Sequence, residues 1–98
     1  MSTRFRLVFE FDLRKAAANL KKHGVSFREA MTVFNDPLAA TFPDELHSEE
    51  EQRWITVGLS SRHRVLFVSH LEHEGIIRII GARTANATEI ETYEEASR

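Results

Sequence analysis

The fold is decided by residues 53–83, RWITVGLSSRHRVLFVSHLEHEGIIRIIGAR, in which three apolar segments are separated by two short polar turns. The segments cover residues 54–60, 64–72 and 76–83, and their length and apolar character are typical of strands. The turns at 61–63 and 73–75 are short enough for antiparallel hairpins. This stretch therefore predicts a three-stranded meander.

The residues before the meander predict a strand followed by a helix. Residues 5–11, FRLVFEF, have the period of two that is expected for a half-buried strand. Asp12 is suited to cap a helix over residues 13–23, and Gly24 is suited to end it in a left-handed conformation. On that helix the expected apolar stripe is Leu13, Ala16, Ala17 and Leu20, and the expected exposed basic row is Lys15, Asn19 and Lys22.

A second helix, a short strand and a terminal helix complete the predicted order of elements. Ser26 and Glu29 form the S-x-x-E capping box of a helix that ends near residues 35–37. A strand candidate at 38–42 and a mobile acidic connection at 43–52 follow, and Asn86 with Glu89 opens the last helix. The order β-α-α-β-β-β-β-α predicts an α+β fold, a small antiparallel sheet with helices packed on one face.

Composition limits the classes of protein to which the chain can belong. Its 98 residues suffice for a single domain over 1–98, and 42% hydrophobic with 29% charged residues is typical of a folded globule. The sequence has no cysteine, which excludes disulfides, thiolate metal sites and a cysteine nucleophile. No apolar run approaches the roughly 20 residues that span a bilayer, and no signal-peptide pattern is present, so we expect a cytoplasmic protein.

Charge is segregated along the chain although the net charge is only −2. Residues 1–28 carry seven Lys or Arg against two Asp or Glu, and residues 52–83 carry five against two. Residues 29–51 carry seven acids and no Lys or Arg. If folding gathers the basic segments in space, they form a face suited to a polyanion.

Two strands of the meander carry side chains suited to a phosphodiester. Alternation places Arg64 and His70 on one face of the meander's second strand, and it places Arg78 and Arg83 on opposite faces of the third. Guanidinium groups bind anionic oxygens through paired hydrogen bonds, and histidine titrates near neutral pH. Solvent-facing arginines that serve only solubility are the alternative interpretation.

The end of the first helix holds another candidate. His23, beside Lys22, is a candidate general acid or base, although a cation at a helix C-terminus is favourable without any further role. His70, Glu72 and His73 lack the spacing of metal ligands, and no glycine-rich phosphate loop is present in the sequence. We therefore expect no metal and no nucleotide cofactor.

Short motifs in a fixed order give the chain a resemblance to a known family. They are FEFD at 9–12, Lys15, Asn19, KHGVSF at 22–27 with EA at 29–30, VFNDP at 33–37, RWITVG at 53–58 and RIIGAR at 78–83. Together they extend over nearly the whole chain, and they resemble the BrnT ribonuclease toxins of bacterial type II toxin–antitoxin systems. The resemblance implies a RelE-like fold and a cytoplasmic endoribonuclease that inhibits translation without a cofactor.

The resemblance also implies partners. They are an RNA substrate and a BrnA-like antitoxin, whose ribbon-helix-helix part carries the complex to operator DNA. Because masking the site is the direct way to neutralise a toxin, we expect the antitoxin to cover the basic face or the strand arginines.

A metal-independent ribonuclease has to help the ribose 2′-OH attack phosphorus, stabilise the charge that forms there, and protonate the departing 5′ oxygen. The residues assigned to phosphate stabilisation are Arg64 and Arg83, with Arg78, and acid–base work is assigned to His23 or His70. The residues assigned to RNA binding are Lys15, Lys22 and Arg53. The alternatives are a non-catalytic binding module that acts with its antitoxin in operon autoregulation, and a degenerate toxin that keeps only the fold.

Overall fold

The computed structural model describes residues 7–96, which form a five-stranded sheet with helices on it. The helices are α1 (Leu13–His23), α2 (Phe27–Thr32) and α3 (Ala87–Ala96), with 3-10 turns at Val33–Asn35 and Glu45–His47. The strands are β1 (Val8–Glu10), β2 (Ala40–Pro43), β3 (Trp54–Leu59), β4 (Val65–His73) and β5 (Ile76–Thr84). The predicted α+β order is confirmed, although Phe5 of the predicted first strand lies outside the described residues.

The strand order in the sheet is β1-β5-β4-β3-β2. The pairs β3–β4 and β4–β5 are antiparallel, as their short hairpin turns predict, and β2–β3 is antiparallel across the connection at 44–53. β1 runs parallel to β5 at the edge of the sheet, so the prediction of an antiparallel sheet is wrong for this pair. The two strands are far apart in the chain, and no hairpin requires them to be antiparallel. The sheet is therefore mixed, with one parallel pair. None of the helices in residues 7–96 is long and apolar enough to cross a membrane.

The predicted caps set the helix boundaries. The Asp12 carboxylate accepts hydrogen bonds from the backbone N–H groups of Arg14 (2.8 Å) and Lys15 (3.0 Å), and Gly24 ends α1 at φ 68°. Asn86 and Glu89 form a reciprocal capping box at the start of α3. α1 thus begins and ends at the predicted residues.

Two apolar clusters cover the two faces of the sheet. The cluster under α2 contains Val25, Phe27, Ala30, Val33, Leu66, Val68, Ile77, Ile79 and Ala82. The cluster under α3 contains Ile55, Val57 and Tyr93, with Val65 and Phe67 packed against them. The prediction that all helices lie on one face is wrong for α3, because β3 and β4 carry apolar side chains on both faces and both need cover.

The predicted apolar stripe of α1 is correct only for Ala16, which packs against the core, whereas Ala17 is exposed. Leu13 is 78% exposed and Leu20 is 52% exposed, whereas Asn19 faces the sheet. The Asn19 amide donates to the carbonyl oxygens of Val25 (2.9 Å) and Ala82 (2.8 Å), and its oxygen accepts from Ala82 N (3.1 Å). Because β1 pairs with β5 only as far as Arg78, Asn19 satisfies backbone groups at the edge of β5 beyond the end of β1.

Candidate functional site

A β-bulge in β5 determines which arginines share a face of the sheet. Ser69 lies opposite Gly81, but the following residue of β4, His70, lies opposite Ile79. Ile80 is therefore an extra residue in β5, and such a residue reverses the alternation of side chains along its strand.

The bulge brings Arg78 and Arg83 to the same face. Arg78 lies opposite Leu71 and Arg83 lies opposite Phe67, and these two β4 residues are four positions apart. Directly paired residues of an antiparallel pair share a face, so both arginines lie on the face opposite α2. The prediction that they lie on opposite faces is wrong, because simple alternation takes no account of the bulge.

Three cationic side chains from three separate elements meet at a cleft at one end of this face. They are Lys15 of α1, Arg53 immediately before β3 and Arg78 of β5, and we call the space that they line the cation cleft. Its volume is about 480 Å³. The full lining is Lys15, Leu46, His47, Glu49, Glu50, Glu51, Arg53, Leu71, Arg78 and Ile80.

The cations of the cleft keep most of their hydrogen-bonding capacity. Arg78 Nη1 lies 3.2 Å from Glu10 Oε1 in an ion pair that is 41% and 50% exposed on its two sides, and such exposed pairs contribute little stability. Within residues 7–96, the side chains of Lys15 and Arg53 form no ion pair. Three donors are thus available to an anionic ligand.

Arg83 is engaged with α3. Its guanidinium donates to both carboxylate oxygens of Glu89, at 2.7 and 2.9 Å, and lies 3.9 Å from the centroid of the Phe67 ring. The same guanidinium lowers the pKa of the Glu89 carboxyl. Arg83 therefore fixes α3 on the sheet, and both of its Nη atoms already donate to Glu89.

Arg64 is engaged with a buried carboxylate on the other face. Arg64 Nε donates to Glu29 Oε2 at 3.0 Å, and Nη2 donates to Glu29 Oε1 and to the carbonyl of Gly24. Glu29 is 5% exposed, and the Arg64 guanidinium holds the pKa of its carboxyl below the usual range. Arg64 thus joins β4 to α2, apart from the cation cleft.

His70 lies in the core and is inaccessible to a ligand. It is 0% exposed, its Nε2 lies 2.7 Å from Thr56 Oγ1, and its ring meets Phe34 edge-on at 5.0 Å. Burial lowers the pKa of His70 to about 4, so the imidazole is neutral at pH 7. The assignment of His70 to acid–base catalysis is wrong, because it continues the buried series of Leu66 and Val68 along β4.

Comparison with known proteins identifies the family. Residues 11–89 match the family model described as ribonuclease toxin, BrnT, of type II toxin-antitoxin system. The chain belongs to the BrnT family. The crystal structure of the ribonuclease toxin BrnT from Brucella abortus matches with a TM-score of 0.64 and 19% identity over 83% of this chain and 99% of that chain, a likeness that shows the fold. A search of curated proteins gave no significant match.

Lys22 and His23 of this BrnT chain, like Arg64, His70 and Arg83, lie away from the cation cleft. Lys22 and His23 are exposed at the end of α1, roughly 10 Å from Lys15 along the helix axis, and they do not line the cleft. Of the eight predicted site residues, the fold brings Lys15, Arg53 and Arg78 together.

Sequence reasoning missed His47, which lines the cation cleft. His47 belongs to the segment at 43–52 that was predicted as a connection without structure, although residues 45–47 form a 3-10 turn. The available signal was the Asp44-x-x-His47 spacing, which places the two side chains on one side of a helical turn. Among residues 7–96, no three His, Asp or Glu side chains come together as potential metal ligands.

Proposed function

We propose that this BrnT-family chain is an endoribonuclease that binds RNA at the cation cleft, cleaves it without a metal ion, and thereby inhibits translation in the bacterial cytoplasm. The observation that carries the proposal is the meeting of Lys15, Arg53 and Arg78 at one cleft. Cations from three separate elements, two of them without an ion-pair partner, suit a ligand with several anionic oxygens. The family supplies the reaction class.

The cleft has the donors that RNA cleavage by transesterification requires. When the ribose 2′-OH attacks the adjacent phosphorus, negative charge accumulates on the non-bridging oxygens. Arg53 and Arg78 offer planar guanidinium groups that pair with two such oxygens, and Lys15 adds a compact positive charge. Charge stabilisation by these side chains is the part of the reaction that we assign to the cleft.

Arg83 is proposed as a second contact for RNA on the same face. Arg83 and Arg78 lie opposite Phe67 and Leu71 of β4, which are four residues apart, so the two arginines are separated by roughly 13 Å along the strands. Because both Nη atoms of Arg83 donate to Glu89, Arg83 binds a phosphate only when the phosphate replaces the carboxylate. Lys22 and His23 are proposed as outer contacts, and Arg64 is proposed to act through the fold alone.

A non-catalytic RNA-binding module is the second candidate function. The observation that favours it is the engagement of Arg83 with Glu89, together with three glutamates at 49–51 that line the same cleft as the cations. This arrangement weakens the positive potential at the phosphate. The two candidates differ in one result, which is whether bound RNA is cut.

The antitoxin is proposed to be a BrnA-like ribbon-helix-helix protein that brings operator DNA to the complex and contacts α1. The exposed Leu13 and Leu20 border a groove of about 240 Å³ between α1 and the start of α2. Arg28 lines this groove, Arg14 and Lys21 are exposed on α1, and none of the three forms an ion pair within the described part of the chain. The groove thus fits an amphipathic segment with apolar anchors and acidic flanks.

The proposed antitoxin surface is tested by co-purification of toxin variants with the antitoxin. The double variant Leu13→Glu/Leu20→Glu should fail to co-purify with a BrnA-like antitoxin and should still cleave RNA. Leu38→Glu is the matched control, since Leu38 is 50% exposed and lies outside the groove. If the double variant co-purifies with the antitoxin as wild type does, the antitoxin binds elsewhere on the toxin.

RNA binding and cleavage by single variants test the cleft. Lys15→Ala, Arg53→Ala and Arg78→Ala should each weaken RNA binding by about tenfold, the loss of about 1.4 kcal/mol of charge-assisted hydrogen bonding. Arg62→Ala is the control, because it removes the same charge from an exposed residue in the β3–β4 turn. Equal affinity of all four variants would show that RNA binds elsewhere.

A further inference from the structure

A buried carboxylate holds a histidine at the wall of the cation cleft. Asp44 is 9% exposed, and its two carboxylate oxygens lie 3.0 and 3.2 Å from His47 Nδ1. The side chain of His47 is 66% exposed. One edge of the imidazole is thus fixed against the protein, and the rest of the ring is open.

The loop around this pair is closed by hydrogen bonds that also position Arg53. The backbone N–H of Asp44 donates to the carbonyl of Arg53 at 2.8 Å. Ser48 Oγ donates to the carbonyl of Asp44 at 2.5 Å and accepts from Arg53 N at 2.9 Å. Asp44 and Arg53 are therefore held side by side at the neck of the loop, which places the histidine and a phosphate-binding cation on one cleft.

The carboxylate determines which nitrogen of His47 carries the proton. A carboxylate accepts hydrogen bonds, so the neutral imidazole carries its hydrogen on Nδ1 and leaves a lone pair on Nε2. Among residues 7–96, Nε2 of His47 has no hydrogen-bond partner. The ring is therefore prepared to accept a proton from a ligand in the cleft.

We infer that His47 is the general base of this ribonuclease and that Asp44 is its positioning residue, an inference that rests on the function proposed above. His47 Nε2 takes the proton of the ribose 2′-OH, and O2′ forms a bond to phosphorus as the bond from phosphorus to O5′ breaks. O5′ takes a proton from water, and protonated His47 returns its proton to solvent. The products are a 2′,3′-cyclic phosphate and a 5′-hydroxyl end.

The charged groups around His47 agree with this assignment. The three glutamates at 49–51 line the same cleft as His47, and so do Lys15, Arg53 and Arg78. The imidazole therefore shares one cleft with the cations that would hold the phosphate. A phosphate bound by those cations brings its neighbouring 2′-OH into the cleft that His47 lines.

The test uses the full chain with RNA, alone and in a translation extract. His47→Gln should bind a 2′-O-methyl RNA with unchanged affinity and cleave RNA at least about 100-fold more slowly, the usual contribution of a general base. Added imidazole should restore part of the activity of His47→Ala. Asp44→Asn should lower kcat with unchanged RNA affinity, and His73→Gln, which removes an exposed imidazole, should cleave like wild type.

The outcomes separate this inference from the proposed function. If wild type cuts RNA and His47→Gln cuts at the same rate, His47 is not the base, and the cleft retains its role. Cleavage that leaves 5′-phosphate ends would overturn the step written for His47 and the transesterification assigned to the cleft, because that product requires water as the nucleophile. If wild type cuts RNA under neither condition, the proposed ribonuclease function fails and this inference fails with it.

Discussion

Acidification from pH 7.5 to 5.0 should destabilise the fold through the buried His70. Burial lowers its pKa in the folded protein to about 4, whereas an unfolded chain has a histidine pKa of about 6.5. Between these two values the unfolded chain binds a proton that the folded protein does not. The free energy of unfolding therefore falls as the pH drops below 6.5, and it continues to fall until about pH 4.

The size of the effect follows from the two pKa values. At pH 5.0 an unfolded histidine is almost fully protonated, and His70 in the fold is almost fully neutral. Linkage then gives a loss of about 2 kcal/mol at pH 5.0 relative to pH 7.5. This is a large part of the stability of a domain of this size, which is typically about 5–15 kcal/mol.

Urea denaturation at the two pH values measures this loss. His70→Gln should lose about 2 kcal/mol less than wild type on acidification, because the amide does not titrate and still offers Thr56 a hydrogen-bond partner. His73→Gln is the matched control, since that side chain is 86% exposed. An equal loss in wild type and His70→Gln would refute the argument from burial.

Three further predictions concern the fold and the cleft. Arg64→Ala should lower the free energy of unfolding, measured by urea denaturation, because it leaves the buried Glu29 carboxylate with Ser60 as its side-chain donor and without a counter-charge; unchanged stability would contradict this. Gly58→Ala should cost about 1–3 kcal/mol in the same assay, since the added Cβ would lie 2.9 Å from Ala39 Cβ; unchanged stability would contradict the close contact. Replacing the glutamates at 49–51 by glutamine should raise RNA affinity at low salt, because it removes negative charge from the cleft; unchanged affinity would place RNA away from these residues.

The helices and strands were predictable because their signals are local. Asp12 and Gly24 each act on backbone groups within a few residues, so the bounds of α1 follow from the sequence alone. The same is true of the Asn86–Glu89 box that opens α3. The meander was predictable because its turns are short.

The features that were not predictable depend on contacts between distant parts of the chain. The bulge at Ile80 has no local signal, yet it decides that Arg78 and Arg83 share a face. Asn19 looks like an exposed polar residue until the end of β1 leaves backbone groups of β5 unpaired. Burial of His70 follows from the position of β4 in the middle of the sheet.

The site was predictable only in part for the same reason. Arg53, Arg78 and Lys15 are separate candidates in the sequence, but their convergence depends on how α1 and the loop before β3 meet the start of β5. The His47–Asp44 pair lies in a segment whose acidic composition suggested only a solvated connection.

The most direct test of the central claim is cleavage of a structured RNA by the purified chain. It is measured in buffer that contains EDTA and, separately, in a translation extract. Wild type and Arg62→Ala should cut the RNA, and the double variant Arg53→Ala/Arg78→Ala, shown to be folded by circular dichroism, should not. Cleavage by the folded double variant at the wild-type rate would contradict the assignment of the active site to the cation cleft.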